Sequence, residues 1–180
     1  IYTQNGTKKE NGNSVEIKGL VDIDVKNCAS LFARGNYATI DIGGGRIVSH
    51  NYSSIWTAGN EALINLNMQK DAEGNAVDAG DNYLQIEGDV STATPYYGSN
   101  GTINVGLNTA DSYLKGHFYG VGNNNLYLRN GAVWDNMPAV THNWAGGTYS
   151  TNNIVSNISN LYGSADSAHA GNIYQHEAKD

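Results

Sequence analysis

A chain of 180 residues with a net charge of −7 and ten scattered basic residues does not suit nucleic acid or anionic lipid as its main partner. Those surfaces need clustered Lys and Arg, and only Lys8 and Lys9 are adjacent. A single cysteine, Cys28, excludes a disulfide framework and a thiolate metal cluster, and no apolar run is long enough to span a bilayer.

In chain order, Ile1 to Gly12 is polar and reads as a loose lead-in. Strand alternation starts at Val15-Glu16-Ile17. It resumes in Val21-Asp22-Ile23-Asp24-Val25, with three aliphatics on one face and two aspartates on the other. Cys28 is expected to be a small buried hydrophobe, because no partnered base accompanies it. Ile40-Asp41-Ile42 runs into Gly43-Gly44-Gly45, where the glycines are expected to turn a corner between strands. A phosphate cradle would need a helix start there, but Arg46-Ile47-Val48 continues as strand. Ser54 to Trp56 and Ala62 to Met68 are the next strand candidates.

Residues 70–82 form an acidic insertion. Counted from Asp71, the sixth position is Ala76 and the twelfth Asn82, so the calcium-loop pattern fails and a solvated, mobile loop is expected. Strands anchored at Leu84 and Ile103 follow, the second continuing through Leu107 to Gly120. Leu126 to Trp134 is the last clear strand pair. Val140 to Leu161 is rich in Asn, Ser, Thr and Gly, with Ile154, Val155 and Ile158 as weaker anchors. Pro95 and Pro138 sit in turn-like sequence. No helix-period stripe exceeds two turns, so the fold class is all-β with little or no α-helix. No composition break divides residues 1–180, which read as one domain; the uncapped last residues read as those of a piece of something longer.

One pattern organises these strands. Ile40-Asp41-Ile42, Ile64-Asn65-Leu66, Leu84-Gln85-Ile86, Ile103-Asn104-Val105 and Leu126-Tyr127-Leu128 each read apolar, polar, apolar, at steps of 24, 20, 19 and 23 residues. A period near twenty that tolerates insertions is the mark of a β-solenoid, here of about eight coils. Ile64 and Ile103 would then point inward, and Asn65 outward, where its truncation should cost little.

Asp22, Asp24 and Asp41 are the carboxylates a carbohydrate-active solenoid could use, either as acid and base or to bind calcium. A solvated polar face is the alternative, and none of Arg34, Arg46 and Arg129 is expected on an adjacent strand. The five histidines show no i, i+4 pairing, and G-x-S-x-G is absent, so neither a zinc site nor a serine hydrolase is indicated by spacing. No cofactor is called for. The four glycosylation sequons, at Asn5, Asn51, Asn100 and Asn157, match what chance gives in so Asn-, Ser- and Thr-rich a chain. Tyr96, Tyr97, Tyr113, Tyr119 and Tyr127 are the candidate ligand-binding residues. In register they could stack on sugars or on a partner's rings, and equally they suit a half-exposed strand face.

Gly106-Leu107-Asn108-Thr109-Ala110-Asp111-Ser112-Tyr113-Leu114-Lys115-Gly116, followed by Asn125-Leu126-Tyr127-Leu128-Arg129-Asn130-Gly131-Ala132-Val133-Trp134, resembles the passenger domains of bacterial autotransporter adhesins. Thr39 to Gly44 and Gly171 to Tyr174 are similar to segments of the same passengers. These are structural coil motifs and say little about a ligand. The resemblance implies a right-handed parallel β-helix, exported and displayed outside the outer membrane by a separate barrel. The serine protease domain carried by some members has no motif here. The function expected is a non-enzymatic surface adhesin segment that binds a host glycan or protein, or an identical rod on another cell. A pectate-lyase-like enzyme fragment and a structural spacer stalk are the alternatives.

Overall fold

A computed structural model describes residues 1–4, 12–92, 101–137, 142–144, 147–149 and 156–176. Strands β1 (Tyr2–Gln4), β2 (Ser14–Val25), β3 (Leu31–Arg34), β4 (Thr39–Ser49), β5 (Ile55–Ala58) and β6 (Leu63–Leu66) open the chain. A hairpin, β7 (Met68–Lys70) and β8 (Ala76–Ala79), interrupts it. There follow β9 (Leu84–Glu87), β10 (Val90–Ser91), β11 (Thr102–Leu107), β12 (Tyr113–Lys115), β13 (Phe118–Tyr119), β14 (Asn123–Leu128) and β15 (Val133–Asn136). A second hairpin, β16 (His142–Trp144) and β17 (Gly147–Tyr149), precedes β18 (Asn160–Tyr162) and β19 (Asn172–Gln175). The protein is all-β. Among the described residues there is no α-helix, only a 3-10 turn at Ser167–His169, and a parallel sheet curls through 281° as a half-barrel.

Among the described residues, pairing is parallel except within the two hairpins and at one isolated bridge, Arg129 to Ala170. It falls into three columns. The first runs through the front half of β2, the front half of β4, then β6, β11, β14 and β18. The second takes the back halves of β2 and β4, then β9, β12, β15 and β19. The third is β1, β3, β5, β10 and β13. Strand β4 changes column at Gly43–Gly45, the expected corner. Gly45 adopts φ 111°, and a Cβ there would lie 2.1 Å from the carbonyl oxygen of Val21, so only glycine fits.

The columns explain the period read from the sequence and correct it. Leu84-Gln85-Ile86 belongs to the second column, whereas Ile40, Ile64 and Ile103 belong to the first. The even spacing is therefore not the step of one column: four of the five couplets stack in the first column, and the one at Leu84 comes from the second. Within the first column the register steps are uneven: Ile42 pairs with Leu66, Leu66 with Val105, Val105 with Leu126 and Leu126 with Leu161. Loops of different length account for the spread, and the described residues give six strand levels in each long column rather than eight.

Inward side chains stack like upon like. Ile42, Leu66, Val105 and Leu126 form one aliphatic file, and Ile47, Ile86, Leu114 and Trp134 a second. Leu31, Ile55, Val90 and Phe118 close the third side. All twelve are buried, and Ile158 packs against them as the weak anchor it was expected to be. Cys28, in contrast to the expectation, is exposed, because it lies in the bend between β2 and β3 rather than on a strand face. Pro95, Pro138, Ile154, Val155 and the sequons at Asn5 and Asn100 lie outside the described residues, as does most of the lead-in.

Asn124 and His117 are two of the polar groups buried with this core. Asn124 continues the file of Ile40, Ile64 and Ile103, donating to the carbonyls of Tyr119 and Asn157. His117 is fully buried beside β13. The Ser156 hydroxyl donates to Asn136 Oδ1 at 2.7 Å, so His117 Nδ1 must carry the hydrogen shared with Ser156 Oγ at 3.1 Å. His117 Nε2 is then an acceptor with no hydrogen-bond partner. Burial pushes the imidazole below its ordinary value of 6.5, outweighing the opposing pull of the Asp89 charge.

Ile64→Ala should destabilise the protein by about 2–5 kcal/mol in chemical denaturation, the cost of a cavity in a close-packed file. His117 is neutral in the folded state at pH values where the unfolded chain already binds a proton. Its contribution is therefore intact above about pH 6.5 and lost as pH falls below it. Urea midpoints at pH 7.5 and pH 5.0 should drop more for the wild type than for His117→Leu; an equal drop contradicts the assignment.

Candidate functional site

The outer face of the first column carries one continuous row of side chains. Asn65 Nδ2 donates to Asp41 Oδ1 at 2.7 Å, and Asn104 Nδ2 to Asn65 Oδ1 at 2.7 Å. Asn125 Nδ2 donates to Asn104 Oδ1 at 2.8 Å, and Asn160 Nδ2 to Asn125 Oδ1 at 2.9 Å. All four amides point their N–H groups towards Asp41, so their dipoles add favourably at its carboxylate. Five levels of in-register pairing produce the row, since each residue lies directly beside its counterpart.

Asn65 does face outward, as expected, but it is only 2 % exposed, bonded between Asp41 and Asn104 in the row. The acidic insertion is an ordered hairpin rather than a loose solvated loop. Asn67, at φ 51°, redirects the chain out of β6, and its amide donates to the carbonyls of Gly80, Asn82 and Gly106. Gly106 is needed beneath it: a Cβ there would lie 2.2 Å from the Asn67 carbonyl oxygen. At the hairpin turn, Asp71 accepts hydrogen bonds from the side chain and backbone N–H of Asn75, which hold its carboxyl below the usual range. Two ion pairs pin the hairpin across the sheet, Lys70 to Asp41 at 2.8 Å and Arg129 to Asp78 at 2.7 Å.

Between this hairpin and β2 lies a groove of about 300 Å³. Glu16 and Lys18 line one side, Lys70, Asp81 and Asn82 the other, and the less exposed Asp41 and Asn65 lie deeper. Asn82 Nδ2 ties the hairpin side to β4 by donating to the carbonyl of Gly43 at 2.8 Å. Asp41, one of the three candidate carboxylates, therefore serves the groove and the amide row.

The other two carboxylates sit on the second column. Arg46, expected away from them, is paired in register with Asp22, since β2 and β4 lie side by side. Its guanidinium bridges Asp22 at 3.2 Å and Asp24 at 2.9 Å, and His50 Nε2 lies 2.7 Å from Asp24. The bond to Arg46, then that to His50, hold the Asp24 carboxyl below its ordinary value, and Asp24 in turn raises Arg46. A guanidinium so held stays protonated and cannot take a proton from a sugar carbon. Among the described residues, no group of three or more His, Cys, Asp or Glu side chains is placed to hold a metal ion.

The candidate tyrosines are not brought together. Tyr113 is in the second column and donates to Glu87 Oε1 at 2.9 Å, with burial and then that bond raising its phenol. Tyr119 ends β13 in the third column. Tyr127 is in the first column, 7 % exposed, its ring stacked 4.3 Å from that of Tyr162 and the Arg129 guanidinium 5.9 Å from its centroid. Burial is the main cause that raises its phenol. Tyr96 and Tyr97 lie outside the described residues. The aromatic row that does form is Tyr2, Phe32 and Trp56 on the third column, with ring centroids 5.5 Å and 4.4 Å apart. Its sequence signal was the repeated apolar-aromatic pair Leu31-Phe32 and Ile55-Trp56. Phe32 and Trp56 lie 8° from parallel and so cover one face of each other.

No protein-family model matches the chain, and comparison with curated proteins and with solved structures finds no match.

Because Asn65 is buried and bonded on both sides, Asn65→Ala should cost about 1–3 kcal/mol. Chemical denaturation of the variant checks this, and a loss indistinguishable from zero would mean that the row contributes nothing.

Proposed function

We propose that this chain is a segment of right-handed parallel β-helix that works as a non-enzymatic, surface-displayed adhesin, binding through its extended outer faces. What carries the reading is the state of its outward chemistry. Along the first column, amides and a carboxylate are held in a fixed row by one another; Asn65 and Asn104 are buried within it, and its accessible members, Asp41, Asn125 and Asn160, are rigid polar groups suited to contact rather than turnover. The catalytic alternative is weakened at Asp22 and Asp24. The one basic side chain within hydrogen-bond reach of both is a permanent cation, and the aspartate side chains are 78 % and 44 % exposed. The resemblance of Gly106–Gly116 and Asn125–Trp134 to autotransporter passengers supports export to a bacterial cell surface, where the partner would be a host glycan, a host protein or a second rod.

Display of residues 1–180 on a non-adhesive bacterium should cause cell aggregation or retention on glycan or matrix-protein surfaces. A display that leaves both at background would make the segment a spacer. Release of unsaturated or reducing ends from acidic polysaccharide, abolished by Asp24→Asn, would overturn the non-enzymatic reading.

A further inference from the structure

The groove beside the hairpin is a concave place, among the described residues, where the outer polar chemistry is not already closed on itself. Among the described residues neither Glu16 nor Lys18 has a side-chain hydrogen-bond or ion-pair partner. Both belong to β2 and stand on its outward face, opposite Lys70 and Asp81. We propose that this groove is a saccharide subsite that takes one neutral sugar residue through its vicinal hydroxyls; the proposal rests on the surface-binding reading and gives it a place.

Size comes first. About 300 Å³ is the lower end of the range of small-ligand clefts, roughly 300–1,000 Å³, and too small for a helix or a strand pair. Charge then selects among small ligands. The lining holds the carboxylates of Glu16, Asp41 and Asp81 together with the ammonium groups of Lys18 and Lys70, of which Lys70 is paired with Asp41. An anionic ligand would meet the first set and a cation the second, in any pose, with a desolvation cost on top. A hydroxyl donates and accepts at once, so two adjacent hydroxyls can satisfy a carboxylate and an ammonium together. Met68 adds an apolar contact for the C–H face of a ring.

The groove is also preorganised. Asp41 is fixed by Asn65 and Lys70, the hairpin base by the three bonds of Asn67, and the hairpin wall by Asn82 to Gly43 of β4. A ligand entering it need not order the site, which is where weak polar contacts otherwise lose their affinity.

The test is an NMR titration of the labelled chain with methyl glycosides of glucose, galactose, mannose and N-acetylglucosamine, alongside glucuronate and glucosamine. At least one neutral glycoside should shift the amide resonances of Glu16, Lys18, Lys70 and Asp81. Glu16→Gln or Lys18→Met should weaken that binding about tenfold, and Asp24→Asn on the second column should leave it unchanged. No shift at these resonances with any neutral glycoside, or tighter binding of a charged sugar, overturns the proposal. If cells displaying the Glu16→Gln, Lys18→Met and wild-type chains adhere equally well, the groove is not the site while surface binding stands. If the wild type does not adhere at all, surface binding itself fails.

Discussion

Parallel strands paired without slippage place every side chain about 4.8 Å from its counterparts on the strands above and below. Everything else in this structure follows from that one constraint. Inward, it sets Ile42 against Leu66, Val105 and Leu126, so that aliphatic surface too small to be buried by one level is buried by the stack. Outward, it sets amide against amide and ring against ring. The core files and the Asp41–Asn160 row are the same geometry read on opposite faces of the same strands.

A stack of this kind ties up most of its outer chemistry. Amides in a row bond to one another, Arg46 bridges Asp22 and Asp24, and Phe32 and Trp56 cover each other. The groove arises where the chain leaves its columns. Asn67 causes such a departure by taking a left-handed conformation, and Gly106 allows the hairpin to settle by offering no side chain. The ion pairs of Lys70 and Asp78 then hold the hairpin down across four levels of sheet, from β4 to β14. Its acidity, which looked like the sign of a solvated loop, is partly answered by Arg129, just past the end of β14, which pairs with Asp78.

The alternation of Val15 to Val25 and of the couplets gave away the strands, their inward faces and the all-β class, because a period of two is local and survives any arrangement of partners. The corner at Gly43–Gly45 was legible for a similar reason, since a run of three glycines has few other uses. Partnership between strands was not legible. Asn125, not Tyr127, lies beside Asn104, a shift of two residues that alternation cannot detect because it preserves which face is buried. The same blindness separated the tyrosines into three columns and hid Arg46 beside Asp22, a neighbour 24 residues away that only the β2–β4 register creates. The bonding of Asn65 on both sides was hidden too, because its partners, Asp41 and Asn104, lie 24 and 39 residues away.

The most direct measurement is the set of backbone NOEs from the Asn104 amide in a deuterated sample. In-register stacking requires contacts to Asn65 on one side and Asn125 on the other. Contacts to Tyr127 in place of Asn125, or none to β6 at all, would contradict the stacking on which the buried files, the amide row and the groove all depend.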